Sequence, residues 1–247
     1  MKILVCASKT PETTTKIKFT DDQSELDTKD VKYIMNPYDE WYALVRALEL
    51  KEKLGGSVTI LNVGPAANDS TLRKGLAIGA DEAVRIDAEP ASALFTARQI
   101  SDFAKAENFD AIFLGKETID YNGSEVGAMV AEFLDLPFLS YASHLEMSDE
   151  NTAVIKRDIE GGTETVEVAL PFVLSAAKGL AEQRIPNMRG IMMAKRKPLK
   201  VVEASDYEDK ATAVHFELPP EKGDVKLVDP ENMEELVRLL HEEAKVI

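Results

Sequence analysis

Cysteine, tryptophan and histidine are nearly absent from this chain, at one, one and three residues among 247. A single thiol, Cys6, rules out an internal disulfide, and three histidines beside it make a poor zinc ligand set. Positive charge is scarce too. Against 44 Asp and Glu stand only 29 Lys and Arg, a formal net charge of −15. That balance argues against nucleic acid or an anionic membrane as partner, because phosphate binding needs clustered cations. No apolar run approaches the roughly 18–20 residues that span a bilayer, so membrane insertion is not expected. The opening M-K-I-L-V-C-A lacks the longer apolar stretch and cleavage site of a signal peptide, so a cytoplasmic location is expected. Internal repeats, low-complexity segments and nucleophile-elbow serines are missing as well.

What remains is an ordinary globular composition, 45% hydrophobic and 30% charged, large enough for one substantial core plus an appendage. Short apolar runs at residues 3–5, 58–61, 83–86 and 111–114 alternate with helical patterns. Asn36-Pro37 reads as a helix start, with Asn supplying the cap oxygen, Pro at the first helical position and Asp39 complementing the dipole. Asn68 or Asp69 is expected to cap a second helix that Gly79 stops. Leu94, Ala97, Ile100 and Phe103 mark a third, and Val126, Met129, Val130 and Phe133 a fourth. Strands apolar on both faces, alternating with helices, predict a Rossmann-like parallel sheet flanked by helices.

After about residue 137 the pattern turns to strands. Residues 155–175, I-K-R-D-I-E-G-G-T-E-T-V-E-V-A-L-P-F-V-L-S, alternate apolar and polar around Gly161-Gly162 and then run apolar behind Pro171. That predicts a β-hairpin, an antiparallel extension of the sheet, feeding a core strand. The α/β domain is taken to span residues 1–200. Residues 201–247, broken by Pro219-Pro220, Gly223 and Asp229-Pro230, read as an arm ending in a helix over 231–245. An arm with so little core of its own lies either on a partner subunit or back on its own domain.

In an open parallel sheet ligands bind beyond the carboxyl ends of the strands. Loops at Cys6-Ala7-Ser8, at Asn62 to Pro65 and at residues 115–127, with the turn Asn36-Pro37-Tyr38-Asp39, are expected there. Residues 115–127 are rich in Gly and short polar side chains and enter a helix near Ser124. Free amides at such an entry cradle a phosphate; a plain capped helix start with solvated polar residues is the alternative. The G-x-G-x-x-G and P-loop fingerprints do not occur at these loops. His144, His215 and His241 are remote from them in sequence. An acid/base pair of Glu117 and Asp120 is the weaker reading, since nothing else in the chain would hold a substrate. No catalytic residue and no metal ligand is assigned.

Separated blocks of the chain resemble the electron transfer flavoprotein β-subunit family, and in that family's order. They are I-L-V-C-A-S-K-T-P-E at the start, M-N-P-Y-D-E at 35–40, V-G-P-A at 63–66, L-A-I-G-A-D at 76–81 and L-G-K-E-T-I-D at 114–120. The hairpin at 155–175 and P-N-M-R-G-I-M-M-A-K-R-K-P at 186–198 follow. The blocks cover most of residues 1–200, and the tail matches only in general character.

The resemblance implies a non-enzymatic electron carrier, paired with an α subunit that holds most of the FAD. The heterodimer would take electrons from acyl-CoA and related dehydrogenases, as in fatty acid β-oxidation, and pass them to a quinone oxidoreductase. It further implies AMP at the sheet edge, touching Cys6, Ala7, Asn36, Pro37, Tyr38, Asp39 and Val63. The loop residues Lys116, Asp120, Asn122, Gly123, Ser124, Glu125, Val126 and Gly127 would complete that site. Tyr38 would lie near the partner's flavin ring. Met188 takes the apolar anchor position of the loop that docks on dehydrogenases, where the family usually has Leu. Lys195 and Arg196 beside it would steer acidic partners or form a solvated basic face. Departures from the family's pattern are Glu125 for Gln, Asn122 for Asp and Met193 for Lys. The same loops would equally engage a second FAD, as in bifurcating members of the family. A stand-alone adenine-nucleotide-binding regulatory protein, or an ATP-dependent hydrolase or ligase, would share the architecture without needing the arm.

Overall fold

The computed structural model describes residues 1–90 and 92–247. Strand β1 (Lys2–Cys6) lies at the centre of a nine-stranded sheet, with β4 (Ser57–Val63) on one side and β6 (Ala111–Gly115) on the other. The sheet order is β11-β5-β4-β1-β6-β10-β7-β8-β9, where β5 is Glu82–Asp87, β10 is Phe172–Ala176 and β11 is Leu199–Glu203. All pairings from β11 to β7 (Phe138–Met147) are parallel, and β8 (Thr152–Ile159) and β9 (Gly162–Ala169) extend the sheet antiparallel. A short antiparallel pair, β2 (Lys9–Pro11) with β3 (Tyr33–Met35), stands apart from this sheet.

The central strands show why the sheet is helix-covered on both faces. Ile3 and Val5 belong to one apolar cluster and Leu4 and Cys6 to another, because successive side chains of a strand point to opposite faces. Helices α1 (Asp39–Leu54) and α2 (Asp69–Ile78) close the first face with Leu44, Leu48, Leu72 and Leu76. Helices α3 (Ala93–Glu107) and α4 (Val126–Leu134) close the second with Ala97, Ile100 and Val130. The hairpin β8–β9 and the core strand β10 lie where the alternation places them. The core strand is not next to the hairpin, however. It inserts between β6 and β7, because Phe172, Val173 and Leu174 are fully buried and need neighbours on both edges.

Three local expectations are corrected. Asn36 does not cap α1: that helix begins at Asp39 after Tyr38, whose φ is 64°, and no side chain caps it. Neither Asn68 nor Asp69 caps α2, which follows a 3-10 turn at Ala66–Asn68. The Asp69 carboxylate instead takes the Nε of Arg85 at 2.7 Å. Arg85 is only 5% exposed, and a buried guanidinium without a carboxylate is far costlier than an uncapped helix amide. Helix α4 starts at Val126, two residues after the expected entry.

Strand β11 was not legible. Its pattern L-K-V-V-E is half exposed, as suits a charged edge strand beside β5. It is preceded by a short helix α5 (Met188–Ala194) and followed by an extended tail. The tail ends in α6 (Met233–Leu239), continued by a π-type turn at Leu240–Ala244 rather than by regular helix to 245. Among the described residues no helix is long and apolar enough to cross a membrane.

Candidate functional site

From β1 the chain runs outward through β4 and β5, then returns to the other side of β1 for β6. Strand order therefore reverses between β1 and β6, where the loops at the carboxyl ends diverge and leave a crevice. That crevice is a cleft of about 610 Å³, within the usual range for a small-molecule site.

Ten of the expected contacts line it together. Cys6, Ala7 and Val63 come from the ends of β1 and β4. Lys116, Asp120, Gly123, Ser124, Glu125, Val126 and Gly127 come from the loop after β6. Asn122 belongs to that loop but is not part of the wall. Pro37, Tyr38 and Asp39 face a second hollow of about 390 Å³, shared with Tyr42, Tyr141 and Lys178; Lys116 and Glu117 border both spaces. Tyr38 is half exposed there, held in the left-handed half of backbone space that side chains rarely adopt. Met188, Lys195 and Arg196 sit away from the cleft on or just after α5, all exposed, with Met188 at 74%.

Asn36 is fully buried and acts as a latch. Its Nδ2 donates to the Glu117 carbonyl at 3.0 Å, and its Oδ1 accepts from the Ile119 amide at 3.1 Å. Its own amide donates to the Ser8 carbonyl at 2.9 Å. One residue thus ties the two loops together, its side chain holding the loop after β6 and its backbone amide the loop after β1. On the opposite wall, Arg85 Nη1 donates to the Gly64 carbonyl at 3.1 Å. A Cβ on Gly64 would stand 2.1 Å from Asn68 Nδ2, so a side chain there would have to displace the Asn68 amide from its bond to Asn62.

The lining carries five carboxylates, Glu40, Glu89, Glu117, Asp120 and Glu125, against Lys9 and Lys116. Two of the five do not act as free anions. Glu117 is paired to Lys116 at 2.9 Å, which holds its carboxyl below the usual range. Glu40, 5% exposed, has its pKa pushed up to about 8 by burial, against two opposing bonds from the Ser8 amide (2.6 Å) and hydroxyl (2.7 Å). It is mostly protonated at neutral pH. Asp39 is raised to about 6, again by burial, with Lys116 pulling the other way. Burial also pushes the Cys6 thiol far above its ordinary value, so it packs in the wall and reacts only slowly.

The two helix N-termini at the crevice differ. The first turn of α1 is filled by its own Asp39 and Glu40. The first turn of α4 holds no acidic residue, and Glu125, at its cap position, makes no capping bond. The first amides of α4 have no partner within the helix, and Val126 and Gly127 line the cleft. Gly127 lets that turn sit close to the sheet: a Cβ there would meet Phe138 Cε2 at 2.9 Å. The open amide end suits an anionic group. At the opposite wall Asn68 Oδ1, buried, has no hydrogen-bond partner, which suits a ligand carrying an N–H donor such as an exocyclic amine. An adenylate has both features.

Residues that the sequence did not assign to the site include Glu40, Arg85, Ser92, Thr96 and Ala211, and Asn68, which was expected only as a helix cap. Glu40 follows Asp39 in M-N-P-Y-D-E and had a signal only as a helix-start acid. Ala211, in the tail, had none.

The electron transfer flavoprotein domain family matches residues 24–207. The whole chain aligns with the whole of the electron transfer flavoprotein subunit beta of Bacillus subtilis (strain 168), 36% identical over 261 residues. It is 34% identical over 257 residues to the human electron transfer flavoprotein subunit beta, covering 100% of this chain and 99% of that one. The mitochondrial subunit beta of Arabidopsis thaliana is 34% identical over 254 residues, with both chains fully covered. The ordered blocks from the first strand to residue 198, the parallel sheet with its antiparallel extension and the full-length likeness agree: this chain belongs to the electron transfer flavoprotein β-subunit family.

Proposed function

We propose that this chain pairs with an electron transfer flavoprotein α subunit and holds AMP in the cleft between β1 and β6. The observation that carries the nucleotide reading is the amide end of α4, whose first turn holds no acidic residue although Glu125 precedes it, bordering a 610 Å³ cleft at the strand-order reversal. FAD, held mainly by the α subunit, supplies the one-electron chemistry, and this chain makes and breaks no substrate bond. The heterodimer takes electrons from acyl-CoA and related dehydrogenases and delivers them to a quinone-linked acceptor. Tyr38, half exposed beside the second hollow, is the aromatic side chain placed to meet the partner's flavin. The arm beyond Phe216, with Leu218, Val225 and Leu227 exposed, lies on the α subunit.

Co-expression with the α subunit tests this. The purified yellow complex should release FAD and AMP in equal amounts on denaturation. Two FAD per complex would point to a bifurcating protein with the second flavin in this cleft. A colourless, autonomous monomer that hydrolyses ATP would sink the carrier reading.

Docking gives a second test. Met188 opens α5, is 74% exposed, and neighbours the exposed Ile185 and Met192. Met188→Ala should raise the KM for a reducing dehydrogenase roughly tenfold, the effect of truncating one anchor of an interface. Flavin and AMP content should stay at wild-type level; loss of flavin would show that Met188 supports the fold instead.

A further inference from the structure

We propose that residues 205–216 form a strap that gates the nucleotide cleft, with Gln99 as its positioning residue. The proposal rests on reading the cleft as the nucleotide site, but the strap itself is argued from its anchors. Gln99 sits inside α3 at 1% exposure, an unusual depth for an amide side chain. It spends both ends on one residue of the tail. Its Oε1 accepts from the Ser205 amide at 2.7 Å and from the Ser205 hydroxyl at 3.1 Å, while its Nε2 donates to the Ser205 carbonyl at 3.1 Å.

From that point the tail runs in extended fashion with alternate residues turned inward. Ser205, Tyr207 and Asp209 are half-buried, whereas Asp206, Glu208 and Lys210 are exposed. The Tyr207 ring lies 6.3 Å from that of Phe95, with the Arg98 guanidinium 5.9 Å from it. Asp209 Oδ1 accepts from the Ser92 hydroxyl at 2.5 Å, at the cap of α3. The next anchor is elsewhere in the fold. The Phe216 amide donates to the Gln23 carbonyl at 2.8 Å, and its ring stacks on Phe19 at 5.2 Å. Between the two anchors residues 211–215 are exposed to solvent, yet Ala211 forms part of the cleft wall. A segment pinned at both ends and touching the cleft in between must lift at one end before a bound molecule of nucleotide size can pass. Its middle has few contacts of its own, which makes it the low-stability part that opens first.

The single cysteine gives a ligand-independent readout, since Cys6 lines the same cleft at 6% exposure. The experiment measures the rate of Cys6 modification by a small neutral thiol reagent in the full-length chain, as purified and again after charcoal removes nucleotide. Gln99→Leu frees the first anchor and Phe216→Ala the second; neither residue lines the cleft. Each is expected to speed modification of the nucleotide-free chain roughly tenfold, the effect of losing one hydrogen-bonded or stacked anchor. Exchange of bound AMP against labelled AMP should accelerate in parallel. Ile155→Val, buried in β8 far from the strap, serves as the control for general destabilisation and should leave both rates unchanged. The strap is overturned if either anchor variant reacts at the wild-type rate, or if Ile155→Val speeds modification as much as they do. Absence of adenine nucleotide in the purified protein would defeat the nucleotide reading alone, because the Cys6 rates would still decide the strap.

Discussion

Asn36→Ala is expected to lose AMP on purification and to unfold roughly 6–12 °C below wild type. The substitution leaves the Glu117 carbonyl and the Ile119 amide without their partner in a part-buried setting. Each buried backbone group left unpaired costs about 1–3 kcal/mol; at about 1.5 kcal/mol each in this part-buried setting, the two cost about 3 kcal/mol. For a chain of this size each kcal/mol moves Tm by about 2–4 °C. Asn36 also links the two loops, so the loop after β6 loses its tie to the loop after β1, and the amides proposed to face the phosphate lose their fixed position. A helix cap at Asn36 would predict something milder, about 1 kcal/mol with the nucleotide still bound. Thermal unfolding together with the AMP released per chain separates the two. A small shift with full AMP content would refute the latch.

Glu40→Gln should abolish a pH effect. In the folded chain Glu40 keeps its proton up to about pH 8, whereas its ordinary value is 4.5. Between those two values the native state binds more protons than the unfolded chain. Stability attributable to this group therefore falls as pH rises from 4.5 to about 8, and levels off above it. The Gln variant cannot ionise, so it lacks that slope. It should melt several degrees above wild type at pH 8 to 9 and close to wild type near pH 5, where Glu40 is protonated in native and unfolded chains to a similar degree. Asp39, raised to about 6, contributes its own slope between its ordinary value and pH 6 in both proteins. Nucleotide retention should follow the same order: wild type sheds AMP above pH 8, as a carboxylate appears in the cleft wall, and Glu40→Gln holds it. Parallel melting profiles across pH 5–9 would show that Glu40 is already ionised at neutral pH.

Different parts of the chain were legible to different degrees, for reasons that lie in the residues. The central strands were readable because I-L-V at 3–5 and A-I-F-L at 111–114 are apolar at every position, which only a strand buried on both faces requires. The hairpin around Gly161-Gly162 was readable because period-two alternation and turn glycines act locally. Strand β11 was not, since an edge strand carrying Lys200 and Glu203 has the composition of a loop. Asn36 was misread because Asn before Pro favours a helix start in isolation, while the partners that claim its side chain lie 81 and 83 residues away. Asp69 was misread in the same way, since Arg85 outcompetes the helix amides for it, while Asn68 turns its Nδ2 to Asn62 and leaves its Oδ1 away from the helix amides.

By itself the sequence determined the fold class, the family and the loops that gather at the carboxyl edge of the sheet, because periodicity and ordered motif blocks are properties of neighbouring residues. Only the tertiary structure decided which helix end stays open to an anion, that Glu40 is buried deeply enough to keep a proton, and that the tail returns to the cleft wall at Ala211. Those outcomes depend on desolvation and on hydrogen bonds between residues far apart in the chain, and no local pattern encodes either.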